Sequence, residues 1–296
     1  MSAQPVPLVP VLAVVGIGLI GGSFAAALRR AGQVGRVLGV GRRQASLDRA
    51  LALGLIDEVV DLEQAARRAD LILLATPVGA MRAALEALGP HLRPEALVTD
   101  AGSTKADVAA IARAALGERL RQFLPGHPIA GSEMTGPEAA HPALYHGRKV
   151  VLTPLAETPV RARDWLTRVW EACGAHVLLM DAERHDRVLA SISHLPHLLA
   201  AAYMAQVSRE GDADLRLSLA GTGFRDFTRI AAGSAEVWRD IFLSNRESVL
   251  DELAAFERVL GELRKTLEDP DPRALEAFLE QAALARRLWD GRSAMT

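Results

Sequence analysis

The chain has 296 residues, half of them apolar and 24% charged, with 34 basic side chains against 36 acidic ones. That length leads to an expectation of two domains, and the near-balance of charge argues against nucleic acid or an anionic membrane as a partner. Cys173 is the single cysteine, so no disulfide framework or thiolate metal site can be built, which fits a reducing, cytoplasmic setting.

Val11–Val15 reads as a buried strand rather than a signal segment. No charged segment precedes it, and no apolar run reaches the ~18 residues of a membrane span. GIGLIGG follows, with Gly16, Gly18 and Gly21 as G-x-G-x-x-G ahead of a helical pattern, SFAAALRRAG, that stops at Gly32. Between strand and helix, such glycines allow a tight turn and bring a pyrophosphate close to the helix N-terminus. Gly16, Gly18, Leu19, Ile20 and Gly21 are therefore expected to bind a dinucleotide. A tight turn without ligand is the alternative.

The next strand, RVLGV, ends at Gly41, where NAD-binding chains carry an acid for the ribose 2′-hydroxyl. Arg42 and Arg43 follow instead, which suits a 2′-phosphate and favours NADP+. The competing reading is a solvated turn and NAD+. A short helical piece ends near Gly54, ADLILLATP is a strand, and VGAMRAALEALG is a helix closed by Gly89 and Pro90. ALVTDAGS is a strand, TKADVAAIARAAL a helix starting at Thr104, and QFLPG is strand-like. HPIAGSE, from His127 to Glu133, reads as neither strand nor helix. His127 is thus placed on a loop at the carboxyl edge of the sheet, either as a base or as a polar residue satisfied by backbone. RKVVLTP and AHVLLM are two further strands flanking a helix over Val160–Ala172.

Alternating β and α segments with fully apolar strands predict a Rossmann-type α/β domain with a parallel-rich sheet over residues 1–180. No strand pattern follows Met180. Residues 181–296 are expected to be all-helical, with SAEVWRDIFLSNRESVLDELAAFERVLGELRKTL as one long helix and Pro270 and Pro272 as punctuation. His194 and His197 lie three apart, on one face of a helix. With no acid or third histidine spaced to complete a set, no metal site is expected.

Seven segments fall in order over residues 11–250: GIGLIGGS; ATPV at Ala75–Val78; DAGSTK at Asp100–Lys105; HPIAGSEMTG at His127–Gly136; SHLPH at Ser193–His197; FRDFTRIA at Phe224–Ala231; and WRDIFLSN at Trp238–Asn245. Together they resemble the prephenate/arogenate dehydrogenase family. The resemblance implies a Rossmann-type domain followed by a helical dimerisation domain, hence a homodimer. It implies NAD(P)+-dependent oxidative decarboxylation of prephenate to 4-hydroxyphenylpyruvate, or of arogenate to tyrosine. No β-containing pattern follows Leu263, so the ACT-type regulatory domain or fused mutase of some relatives is not expected. The resemblance makes His127 the catalytic base and Ser103 the residue that hydrogen-bonds and orients it, near both substrate and cofactor. An N-cap for the helix at Thr104 is the local alternative for Ser103. Arg229 becomes the carboxylate anchor, with Asp226 as its ion-pair partner. Ser193, His194, His197 and His185 line the substrate wall, with satisfied core histidines as the alternative; Glu133 acts as an ion-pair gate; Trp238 either reaches a neighbouring subunit's site or is an ordinary interface or core aromatic; and Thr76 and Pro77 touch the cofactor.

Two other classes stay in view. A β-hydroxyacid dehydrogenase would want a catalytic lysine, yet none lies between Lys149 and Lys265. A dinucleotide sensor without turnover would have no use for His127, Ser103 and Arg229 together.

Overall fold

The computed structural model describes residues 6–131 and 134–293, with side chains as far as residue 289. Two compact units result, Met1–Arg246 and Glu247–Thr296. Strands run only to Leu179, so the first unit contains both the β-rich part and a set of helices.

Six strands make the main sheet: β1 (Val9–Val15), β2 (Val34–Val40), β3 (Glu58–Val59), β4 (Leu71–Leu74), β5 (Leu97–Asp100) and β6 (Phe123–Leu124), in the order 3-2-1-4-5-6 with every pair parallel. The central strands read as near-continuous apolar runs because helices cover both faces. Leu71–Leu74 is wholly buried. Those helices are α1 (Leu19–Arg30), α2 (Gln44–Ala52), α3 (Leu62–Arg68), α4 (Met81–Leu88) and α5 (Ala106–Leu116). The edge strand β3 and α3 are not apparent in the sequence. A two-residue strand carries no period, and α3 starts at a capping box between Asp61 and Gln64 rather than at an apolar stripe.

A second sheet follows, β7 (Gly126–Pro128), β8 (Lys149–Leu152) and β9 (His176–Leu179), with β7 antiparallel to β8 and β9 parallel to it. Helix α6 (Val160–Ala172) connects β8 to β9, with the bounds the periodicity predicts. His127 therefore corrects the loop expectation. It is the middle residue of β7, paired with Val151, and its ring direction is set by a strand. The two sheets are joined by a buried aromatic group, Phe24, Tyr145 and Trp170, and by the Tyr145 hydroxyl, which donates to the Ile20 carbonyl at 2.6 Å.

Beyond β9 the first unit continues through α7 (Ala182–Leu189), a π-helical turn at Ala190–His194, α8 (Leu195–Ser208), α9 (Ala213–Ser218), α10 (Thr222–Thr228), a 3₁₀ turn at Arg229–Ala232 and α11 (Ala235–Ser244). The continuous stretch Ala182–Ser208 is long and apolar enough, by length and composition, to cross a membrane. Here α7 packs on α5, and the stretch carries the histidines of the site. The single long helix expected after Ser234 is instead broken. Asn245 adopts φ −115° and ψ 35° between α11 and α12 (Arg246–Glu268). The second unit comprises the rest of α12 and α13 (Pro272–Ser293).

Candidate active site

The carboxyl ends of β1, β4 and β5 share one edge of the sheet, and the order reverses between β1 and β4, where ligands of this architecture sit. Each glycine of the motif meets a different constraint there. Gly16 has φ +96°, and a Cβ on it would lie 2.6 Å from the Ala75 carbonyl oxygen. On Gly21 a Cβ would lie 2.4 Å from the Gly16 carbonyl and 2.6 Å from Val14, so α1 rests directly on β1. Gly18, which caps α1, has nothing within 4 Å of its Cβ position. The first turn of α1 holds no acid, and no side chain caps it. Free N–H groups beside open space fit a pyrophosphate. Leu19 and Ile20 form that first turn, and Thr76 and Pro77 follow β4 on the same edge, with Thr76 next to Gly16. Arg42 and Arg43 stand exposed after β2, and neither is in an ion pair among the described residues.

β7 is held just beyond β5 by a buried ion pair. Asp100, the last residue of β5, accepts the N–H of Gly102 at 2.8 Å and of Gly126 at 3.1 Å. Lys105 is fully buried, pairs with Asp100, and donates to the Gly126 carbonyl at 2.9 Å. Burial lowers the Lys105 pKa in spite of Asp100. The pair clamps the residue before His127 to the end of the main sheet.

Nδ1 of His127 lies 2.8 Å from Nε2 of His185, and Nδ1 of His185 lies 2.7 Å from Oδ1 of Asp186. His127 is held well below an ordinary histidine pKa, first by burial and then by His185, Lys105 and His194. It is neutral at cellular pH, as a proton acceptor must be. This arrangement corrects two expectations for Ser103. The ring of His127 is fixed by His185, and Ser103 makes no hydrogen bond to it among the described residues. Nor does Ser103 cap the helix. α5 begins at Ala106, and its first N–H groups are taken by Asp186, from Lys105 and Ala106 at 2.8 Å each. Ser103 stays partly exposed on the carboxyl edge, beside Thr104, whose hydroxyl meets that of Ser244 at 2.9 Å.

The helical segment adds the remaining wall. His194 is 1% exposed, and its Nδ1 faces Nδ2 of Asn245 at 3.1 Å. Asn245 also donates to the Asp186 carbonyl at 2.7 Å. Burial brings the His194 pKa down to about 4 and lowers that of His197 as well. His197 stacks on Trp238 of the same chain, centroids 3.5 Å apart and planes 13° from parallel, and its buried Nδ1 has no partner among the described residues. Trp238 therefore packs on the histidine wall of its own chain. His194 and His197 both face Trp238, although a π-turn precedes the helix that carries His197.

Arg229 is exposed on the 3₁₀ turn that packs against α8. Gly233, four residues on, abuts His197 and Trp238, which places this segment beside the histidine wall. Asp226 is exposed, one turn before Arg229. Ser193 is partly exposed, and Glu133 lies outside the described residues. An open cavity of ≈ 360 Å³ flanked by Arg121, Arg161 and Arg168 belongs to the opposite, amino end of β5 and holds none of these residues. Asp186, Asn245 and the Lys105–Asp100 pair had no predicted role. Asp186 adjoins His185 in ERHDR, but a charge in a helical run reads first as a solvated face.

A dinucleotide cradle on the carboxyl edge of the main sheet, and a neutral histidine on the strand clamped to the end of β5, place the chain among the nucleotide-dependent oxidoreductases. Comparison with known proteins narrows that class. A family model described as the prephenate dehydrogenase nucleotide-binding domain matches residues 24–179, and one described as the prephenate dehydrogenase dimerization domain matches residues 181–281. The chain belongs to the prephenate dehydrogenase family. It is 36% identical to the cyclohexadienyl dehydrogenase of Zymomonas mobilis, covering 93% of this chain and 94% of that one, and 36% identical to the prephenate dehydrogenase of Bacillus subtilis, covering 90% and 72%. Among solved structures, it is similar to Aquifex aeolicus prephenate dehydrogenase in complex with hydroxyphenyl propionate and NAD+, at 35% identity and TM-score 0.88, covering 97% of this chain and 99% of that one. The Synechocystis arogenate dehydrogenase is 33% identical, with TM-score 0.80 and coverage of 94% and 99%.

Proposed function

We propose that the protein is an NAD(P)+-dependent prephenate dehydrogenase, making 4-hydroxyphenylpyruvate for tyrosine biosynthesis in the cytoplasm. The observation that carries this reading is His127, neutral and mounted on β7, which is clamped through Gly126 to the carboxyl end of β5, the edge where the dinucleotide cradle lies. The oxidised nicotinamide supplies the hydride acceptor. His127 takes the C4 hydroxyl proton, and departure of the C1 carboxylate as CO₂ makes the ring aromatic. Arg229 anchors a substrate carboxylate, a planar group that a guanidinium binds bidentately. Ser103, Ser193, His194 and His197 line the substrate, and Trp238 fixes the His197 ring by stacking. Glu133 serves as the ion-pair gate beside the site. Residues 1–180 form the nucleotide-binding part and 181–296 the helical, dimer-forming part.

Two points are finer readings of the same site. The exposed Arg42 and Arg43, with no acid ending β2, support NADP+ over NAD+. Arogenate is the second substrate reading, supported by the likeness to the Synechocystis arogenate dehydrogenase.

Purified protein assayed with prephenate or arogenate, each with NAD+ or NADP+, tests the whole reading through the absorbance of the reduced cofactor. Turnover of prephenate is expected, and silence in all four combinations would sink it. His127→Asn is expected to lower kcat by ~100-fold or more, while Arg229→Ala chiefly raises KM.

A further inference from the structure

Asp186 sits where three structural elements converge behind His127. Its carboxylate oxygens accept the backbone N–H groups of Lys105 and Ala106, so an acid of α7 caps α5. Oδ1 also meets Nδ1 of His185, and the Asp186 carbonyl accepts from Asn245. Asp186 is 3% exposed and His185 fully buried, so bulk water does not compete for these bonds.

The hydrogen-bond direction along this chain follows from its last member. A carboxylate only accepts, so Nδ1 of His185 is the nitrogen that carries hydrogen. With that hydrogen on Nδ1, the Nε2 lone pair of His185 is left to accept from His127. Only an N–H can face that lone pair at 2.8 Å, so Nδ1 of His127 is protonated and Nε2 is bare.

We propose that His185 and Asp186 are positioning residues that lock His127 in its Nδ1–H tautomer, leaving Nε2 as the nitrogen that receives the substrate proton. The inference rests on His127 being the base. As the hydroxyl O–H bond breaks, its electron pair stays on oxygen and the proton bonds to Nε2. His127 becomes an imidazolium whose Nδ1–H still points at His185, and the Asp186 carboxylate behind it offsets the new charge. The proton goes no further than the His127 ring, and the acid orients the histidines as in a serine-protease triad. Lys105 and His194 are the other titratable groups facing this chain, and Lys105 is neutralised by Asp100. His185 thus differs from the wall residue the sequence suggested. It acts through His127 rather than on the substrate.

Two measurements test this. In protein labelled with ¹⁵N-histidine, long-range ¹H–¹⁵N spectra near neutral pH report the tautomer, with His127 assigned by the signals missing from His127→Asn. A protonated Nδ1 and bare Nε2 are expected in the wild type, and loss of that preference in His185→Leu. In steady state, His185→Leu and Asp186→Asn are expected to lower kcat by ~100-fold with substrate KM changed by less than about threefold. His185→Gln, whose carbonyl can accept from Nδ1–H, should return kcat to within about tenfold of wild type. A role confined to packing would show no such rescue. An Nε2–H tautomer on wild-type His127, or full kcat in His185→Leu, overturns the proposal. The spectra need no turnover, so a silent assay would remove the proposed reaction while leaving the tautomer to be judged separately.

Discussion

His194 shows how one side chain links the site to stability. It is packed among Asp186, Asn245 and Trp238, and burial brings its pKa from about 6.5 to about 4. Its folded-state pKa lies below the unfolded one. Between those two values the unfolded chain binds more protons, so the stabilisation present above pH ~6.5 is lost as pH falls toward ~4. For this group alone the loss between pH 7 and pH 5 is about 2 kcal/mol, and His127 acts in the same direction. Urea unfolding at the two pH values is expected to show that loss in the wild type. His194→Gln, which keeps an acceptor for Asn245, should reduce it by about 2 kcal/mol. An unchanged pH dependence in the variant would mean that His194 is not the group responsible. Such a pKa cannot be read from ISHLPH, because the burial that causes it comes from segments fifty residues away.

At the scale of elements, the glycine turn was the most legible part of the chain, since a single loop holds the turn, the ligand approach and the helix contact. Separating those roles gives a prediction. Gly21→Ala places a Cβ 2.4 Å from the Gly16 carbonyl, so α1 must lift from β1. A stability loss of about 1–3 kcal/mol is expected, along with loss of cofactor binding. Gly18→Ala meets open space, so its stability should change by less than about 1 kcal/mol while the dissociation constant for NAD(P)+ rises about tenfold or more. Thermal unfolding and cofactor titration on both variants check this, and equal stability losses would contradict the assigned roles. The break at Asn245 was less legible. Its flanks continue one helical period, and the break is fixed by bonds to Asp186 and His194 that only the folded chain makes. His127 was misplaced for a similar reason. A three-residue strand has no period of its own, and β7 exists because Val151 is there to pair with it.

For the whole molecule, the parallel sheet and the change to helices after Met180 followed from periodicity, whereas the state of association depends on what the helices leave uncovered. α13 has no buried side chain among its described residues, and Leu279, Leu284, Leu288 and Trp289 are each more than half exposed. On α12, Leu250 and Leu267 are similarly exposed, and Val249 is the sole buried residue. In unit 1, Leu215, Leu219 and Leu243 present further apolar surface. A helix that buries none of its described side chains gains little beyond its own propensity, so these faces call for a partner surface. A second copy is the partner that fits a chain whose residues 181–281 match a dimerization domain. Sedimentation equilibrium is expected to give a dimer at micromolar protein, with a melting temperature that rises with concentration. Placing Glu at both Leu284 and Leu288 removes two apolar side chains worth roughly 1.5–3 kcal/mol each when buried, enough to weaken association by about 100-fold or more. A wild type that sediments as a monomer, or a double variant that dimerises as tightly as the wild type, would show that these helices are covered in some other way.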